Sequence, residues 1–262
     1  MTTAPEKPLA LITGGTRGIG LAIARELGNR GHRLFICART GHHITQALAT
    51  LRSEGHQADG TTCDVRDPAQ VTALIQHTVA EHGPITVLVN NAGRTGGGPT
   101  ATTTDDLWYD VIDTNLNAVF LVTRETLRHG HLTGTAHPRI INIASTAGKQ
   151  AVTFGAPYTA SKHAVIGFTR ALAKELAPTG TTVNAICPGY VHTPHTTRIH
   201  HEYATAYNTT PETIHQHFQT HIPLGRYTTP EEVASLAGYL TTPTAASITA
   251  QALNVCGGLA TQ

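Results

Sequence analysis

Charge is scarce in this chain of 262 residues: 13% are Asp, Glu, Lys or Arg, and the formal net charge is +1. So balanced a surface has no field to gather nucleic acid or an anionic membrane. The four cysteines, Cys37, Cys63, Cys187 and Cys256, lie far apart and form no C-x-x-C pair. That excludes a secreted disulfide framework and leaves free thiols in a reducing cytoplasm as the simplest account. No apolar run approaches the ~20 residues that a membrane span needs. The first eight residues lack the apolar stretch of a signal peptide, so 1–8 reads as a short flexible tail and 9–262 as a single domain. No fixed-period repeat is present.

What the chain does have is short apolar runs alternating with helical patterns. Leu9–Thr13, His32–Arg39, Gly60–Val65, Ile85–Val89, Arg139–Ser145, Thr182–Cys187 and Ala252–Val255 read as about seven strands. Between them Ile44–Leu51 reads as helix, as does a stretch carrying Trp108, Val111 and Ile112 that leads to Asn115. Asp67 then serves as N-cap and Pro68 as the first residue of a third helix. Alternation of this kind predicts an α/β domain: a doubly wound parallel sheet with helices on both faces. Ligands of such sheets bind beyond the carboxyl ends of the strands, where Thr13, Arg39, Asp64, Asn90, Ser145 and Cys187 fall.

The first strand runs into Gly14-Gly15-Thr16-Arg17-Gly18-Ile19-Gly20 and then an apolar helix. Glycines there let the backbone approach a ligand and aim N–H groups at a phosphate. The spacing is G-x-x-x-G-x-G rather than the usual dinucleotide fingerprint. At the end of the second strand, where an NAD binder carries an acid, stands Arg39, and Arg17 lies in the glycine turn. Two cations and no carboxylate suit a 2′-phosphate, favouring NADPH/NADP+.

Tyr158 and Lys162 are four apart at the start of a helix whose apolar face carries Val165, Phe168, Leu172 and Leu176. A phenol near an ammonium ionises more readily, so the pair can exchange a proton with a substrate oxygen. Seventeen histidines are unusual, and many lie between His192 and His221. Pro211-Glu212 opens a helix there with Ile214 and Phe218 as its few apolar residues, so 192–221 reads as a small polar helical lid. A metal module on His192, His195, His200, His201, His215, His217 and His221 lacks an acid or thiol to complete a ligand set, so no metal is expected.

Thr13-Gly14-x-x-x-Gly18-x-Gly20, Asn90-Asn91-Ala92-Gly93, Asn115, Ser145, Tyr158-x-x-x-Lys162 and Pro188-Gly189 together resemble the short-chain dehydrogenase/reductase family. The resemblance implies a Rossmann-type fold, a nicotinamide cofactor and a homotetramer. It makes Tyr158 the general acid and Ser145 its partner on the carbonyl oxygen. Lys162 would lower the Tyr158 pKa and hold the nicotinamide ribose, and Asn115 would anchor a water that resupplies protons. Cofactor contacts carried over fall on Thr13, Gly14, Thr16, Arg17, Gly18, Ile19, Gly20, Arg39, Asp64, Val65, Asn91, Ala92, Gly93, Tyr158, Lys162, Pro188, Gly189, Val191 and Thr193.

The stretches 91–98, 143–150 and 249–258 further resemble the ketoreductases of bacterial aromatic (type II) polyketide synthases, of the actinorhodin type. That implies a poly-β-ketone held on an acyl carrier protein, with a basic groove for its phosphopantetheine. Arg39, Arg66 and Arg94 match the groove, and Thr95, Gly96, Gly97, Thr146, Gln150, Val152, His195 and Tyr203 match the substrate pocket. Two departures stand out: Thr95 replaces a common proline, and His195 occupies an apolar lid position. The 3-oxoacyl carrier-protein reductases of fatty-acid synthesis share every catalytic residue and remain an alternative. A non-catalytic NADP-binding regulator is another, though it would have no need of an acid and its tuner.

Overall fold

The computed structural model describes residues 7–261; most of the tail expected at 1–8 lies outside the described residues, as does the side chain of His195. Seven strands form one sheet: β1 (Leu9–Thr13), β2 (Arg33–Ala38), β3 (Ala58–Thr62), β4 (Ile85–Asn90), β5 (Arg139–Ile143), β6 (Thr182–Pro188) and β7 (Ala252–Val255). All neighbours pair in parallel, in the order β3-β2-β1-β4-β5-β6-β7. Winding reverses between β1 and β4, which opens the crevice at their carboxyl ends.

Every residue of β1, β4, β5 and β6 is buried, which is why these four read as unbroken apolar runs. Alternate side chains serve opposite layers. Ala10 and Ile12 pack with Ile23 and Leu27 of α1 (Gly18–Asn29), Leu48 of α2 (Gly41–Ser53) and, further along that layer, Val233 of the C-terminal helix Pro230–Leu240. Leu9 and Leu11 join the layer of Ile75 in α3 (Pro68–His82), past α4 (Asp105–Ile112), Val122 in α5 (Ala118–His129) and Leu172 in α6 (Ala156–Leu176).

Two boundaries differ from the sequence reading. β3 ends at Thr62, so Cys63, Asp64 and Val65 lie beyond it. Cys63 N–H still bonds the Ala38 carbonyl at 2.9 Å, but the Asp64 carboxylate then accepts Arg66 N–H at 3.1 Å and turns the chain. Likewise β5 ends at Ile143, and Ser145 caps a short 3-10 turn by accepting Ala147 N–H at 3.1 Å. The cap expected at Asp67 is present: its carboxylate accepts Ala69 and Gln70 N–H, with Pro68 opening the helix.

A buried polar chain fixes α6 to the sheet. Asn90 Nδ2 donates to Thr123 Oγ1 and to Asn142 Oδ1, and Asn142 Nδ2 donates to Thr169 Oγ1, each at 2.9 Å. Buried amides of this kind are costly unless satisfied, so they set the helix register. The segment 192–221 folds as α7 (Pro194–Ala206) and α8 (Pro211–Thr220), ahead of α9 (Pro230–Leu240). Ala204, Ile214, Phe218, Ile222 and Tyr227 form a small core of its own. His192 stacks on Tyr227, His200 meets it edge-on and His215 at a tilt, at ring distances of 5.0, 5.7 and 4.6 Å, so the histidines build this unit rather than hang from it.

Candidate active site

The glycine turn is shaped by its neighbours as much as by its own sequence. Thr13 Oγ1 accepts N–H from Asn91 and Ala92 at 3.0 Å, while Asn91 Nδ2 donates to the carbonyls of Thr13 and Gly14. Asn91 thus clamps β1 to the β4 turn. Gly14 has φ +64°, and a side chain there would press on Asn91 Nδ2 at 3.0 Å. Helix α1 begins with no side-chain cap and no acid in its first turn. Its free N–H groups and positive dipole end fit a pyrophosphate, with Arg17 exposed as N-cap and Arg39 exposed just past β2. Thr193 borders this turn, since a Cβ on Gly18 would lie 3.3 Å from its methyl. Gly189, which has no room for a side chain against Cys256, bonds the Val255 carbonyl, and Val191 is buried.

Tyr158 lies in the first turn of α6, with its hydroxyl close enough to the Ser145 side chain to act on its ionisation. Part of the ring is exposed, yet burial of the hydroxyl raises its pKa; the Ser145 side chain pulls the other way. Lys162 Nζ lies 5.8 Å from the Tyr158 ring centroid and donates to the Ile143 carbonyl at 2.9 Å. Burial lowers the Lys162 pKa to about 8. Desolvation dominates at Tyr158, so its pKa stands above the ordinary value rather than below it, and the Lys162 ammonium is turned to a β5 carbonyl.

Asn115 is fully buried in a π turn, Asp113–Asn117, between α4 and α5. Such turns cluster at functional sites. Its Oδ1 accepts Arg94 N–H at 2.8 Å, and its Nδ2 donates to the Arg94 carbonyl at 3.0 Å and to Ser161 Oγ at 3.1 Å. Ser161 Oγ in turn donates to the Tyr158 carbonyl. The Asn115 side chain is thus committed to protein, tying the loop after β4 to the catalytic helix. Gly93 closes the cluster: a Cβ there would stand 3.3 Å from Asn115 Oδ1 and 3.7 Å from Lys162 Nζ.

The expected basic groove is an ion-pair strip. Arg66 bonds the Asp64 carboxylate from Nε and Nη2, and bonds Asp110 Oδ1 from Nη1 at 2.5 Å; Arg94 also pairs with Asp110. Arg39 acts on Asp64, and Arg198 of α7 on Arg94. Gly96 packs on Leu107 and Val111, and Gly97 on the Phe154 carbonyl. Tyr203 reaches the Thr153 carbonyl at 3.0 Å. Val152 is half-buried and Gln150 exposed, whereas Thr146 is buried and presents little surface. Sequence reasoning passed over Ser161, Asp110 and Arg198; the last two find partners far along the chain. Among the described residues no group of three or more His, Cys, Asp or Glu is arranged to hold a metal.

A parallel sheet with a glycine-turn cradle and a Ser-Tyr-Lys cluster defines a class, and the sequence profile of the short chain dehydrogenase family matches residues 8–204. The chain belongs to that family. It is 61% identical to a monensin polyketide synthase ketoacyl reductase of Streptomyces virginiae, over 96% of each chain. A granaticin polyketide synthase ketoacyl reductase of Streptomyces violaceoruber is 53% identical, over 97% of this chain and 93% of the other. The 3-oxoacyl-[acyl-carrier-protein] reductase of Pseudomonas aeruginosa is 35% identical over 96% of each. In three dimensions the chain matches a crystal structure of an actinorhodin polyketide ketoreductase variant with NADPH, at TM-score 0.94 and 51% identity, covering 97% of both.

Proposed function

We propose that this protein is an NADPH-dependent ketoreductase that reduces one ketone of a carrier-protein-bound poly-β-ketone to a hydroxyl. The observation that carries the reading is the Ser145–Tyr158 hydroxyl pair, backed by Lys162 and set beside a phosphate cradle flanked by two arginines and no acid. NADPH, when bound, supplies the hydride to the carbonyl carbon. Tyr158 donates its proton to the carbonyl oxygen, and the Ser145 hydroxyl hydrogen-bonds the same atom as charge develops. The Lys162 charge, 5.8 Å from the Tyr158 ring, stabilises the phenolate left behind. Asn115 and Ser161 act through others, holding the Arg94 loop and the start of α6 in register.

Substrate class rests on the relatives: those at 61% and 53% are polyketide synthase ketoacyl reductases, while the fatty-acid enzyme stands at 35%. Arg39, Arg66 and Arg94 suit the phosphodiester of a carrier arm, with Asp64 and Asp110 presenting the arginines until it arrives. We place the enzyme in the cytoplasm, where its four free cysteines persist. No helix among the described residues is long and apolar enough to cross a membrane. A homotetramer is supported by the half-exposed edge strand β7 and by exposed Trp108, Tyr109 and Phe120 on α4 and α5.

Co-expression with a minimal polyketide synthase, followed by identification of the product, tests this directly: one ketone should return as an alcohol. In vitro, trans-1-decalone should be preferred over a linear acetoacetyl thioester. The reverse preference would assign the chain to fatty-acid synthesis. NADPH binding with no ketone reduced would make it a regulator.

A further inference from the structure

Helix α7 is tied to both loops that border the substrate side. On one side the Tyr203 hydroxyl donates to the Thr153 carbonyl at 3.0 Å, and the Tyr207 ring lies 6.1 Å from Phe154. On the other, Arg198 Nη2 donates to Thr95 Oγ1 at 3.2 Å, a contact between residues 103 positions apart. The two loops also meet each other: Gly98 N–H donates to the Phe154 carbonyl at 2.7 Å. The lid helix and the two loops therefore form a closed ring of contacts.

Thr95 is gripped twice. Arg94 Nε donates to its carbonyl at 2.9 Å, and Arg198 reaches its hydroxyl from the lid. Glu202, one turn along α7, pairs with Arg198 Nε at 3.5 Å and steadies the guanidinium. Threonine supplies an acceptor oxygen here and fits an N–H-bearing backbone; a proline would supply neither. The donor is a guanidinium and the acceptor a neutral hydroxyl, so the contact is charge-assisted.

We propose that Thr95 and Arg198 form a latch that fixes the lid against the 95–97 loop, making Arg198 a positioning and specificity-determining residue of the reduction. The proposal rests on the ketoreductase reading for its substrate consequence, but the latch itself exists without substrate. With the latch formed, α7 and the 95–97 loop present one fixed wall to a bulky ketone. Without it, the lid is held from the Tyr203 side alone, and a large substrate meets a wall of variable position.

The test compares Thr95→Val, Thr95→Ser, Arg198→Ala and the double variant Thr95→Val/Arg198→Ala in the full chain. Thr95→Val keeps the shape and removes the hydroxyl, while Thr95→Ser restores it. Hydrogen exchange over 194–206 in cofactor-free protein should quicken in Thr95→Val and Arg198→Ala, stay at the parent rate in Thr95→Ser, and quicken no further in the double variant. With trans-1-decalone the KM should rise about three- to tenfold in both single variants with kcat near the parent value, the range expected for one hydrogen bond. The ratio of alcohol isomers should shift with it. Unchanged lid exchange in Thr95→Val, or effects that simply add in the double variant, would overturn the latch. If no variant and no parent protein reduces any ketone, the reading of the reaction fails, while the exchange data still judge the latch.

Discussion

Around Tyr158 and Lys162 the balance of burial and hydrogen bonding sets which proton sits where. Burial holds the phenol protonated at neutral pH, as a proton donor requires, and Ser145 keeps it from being raised further. Replacing Tyr158 by Phe keeps the ring and removes the proton. Ketone reduction should fall by ~10²–10⁴, the usual worth of a general acid, while NADPH binding measured by fluorescence stays near normal. Lys162 carries its charge below about pH 8 and loses it above, because burial disfavours the ammonium. A kcat profile for reduction should therefore run level through neutrality and decline as pH rises through about 8. A decline centred below pH 7 would assign it to some other group.

Among the elements, the lid pair α7–α8 has the least ordinary interior. His200 is buried against Phe218 and Tyr227 and its Nε2 is 2.9 Å from the Tyr227 hydroxyl. Burial, and then the neighbouring His215, His192 and His201, hold its pKa below the ordinary histidine value. A group depressed in this way stabilises the fold above its unfolded pKa of ~6.5 and loses that contribution as pH falls below it. Measured relative to the intrinsic amide rate at each pH, protection from hydrogen exchange over 194–220 should fall between pH 7 and pH 5.5 while that of β1, β4 and β5 holds. A His200→Gln variant should flatten that difference.

For the molecule as a whole, legibility followed distance along the chain and burial on both faces. β1, β4, β5 and β6 announced themselves as apolar runs because no face of them meets water. Tyr158 and Lys162 were legible because a single helical turn relates them. β3 was not located to its ends: Ala58-Asp59-Gly60-Thr61-Thr62 is half-exposed and carries no apolar pattern, whereas the buried Cys63 and Val65 beyond it do. Asp110 and Arg198 escaped notice because their partners lie 44 and 103 positions away, and a lone acid or arginine has no local pattern. The exposed aromatics on α4 and α5 carry a prediction at this scale. Light scattering should report four times the chain mass, and Phe120→Glu, placing a charge on that face, should reduce it.

The clamp of Thr13 and Asn91 across 78 positions also bears on how the molecule comes into being. Parallel pairing of β1 with β4 closes a long loop, a slow step in folding, and the phosphate turn takes its shape only once that step is complete. A chain still being synthesised has all seven residues of its glycine motif early, yet gains a dinucleotide site only after β4 has docked. In refolding experiments NADPH binding should appear with the last kinetic phase rather than the first. NADPH at a hundredfold over its Kd should then stabilise the finished protein by ~2.7 kcal/mol.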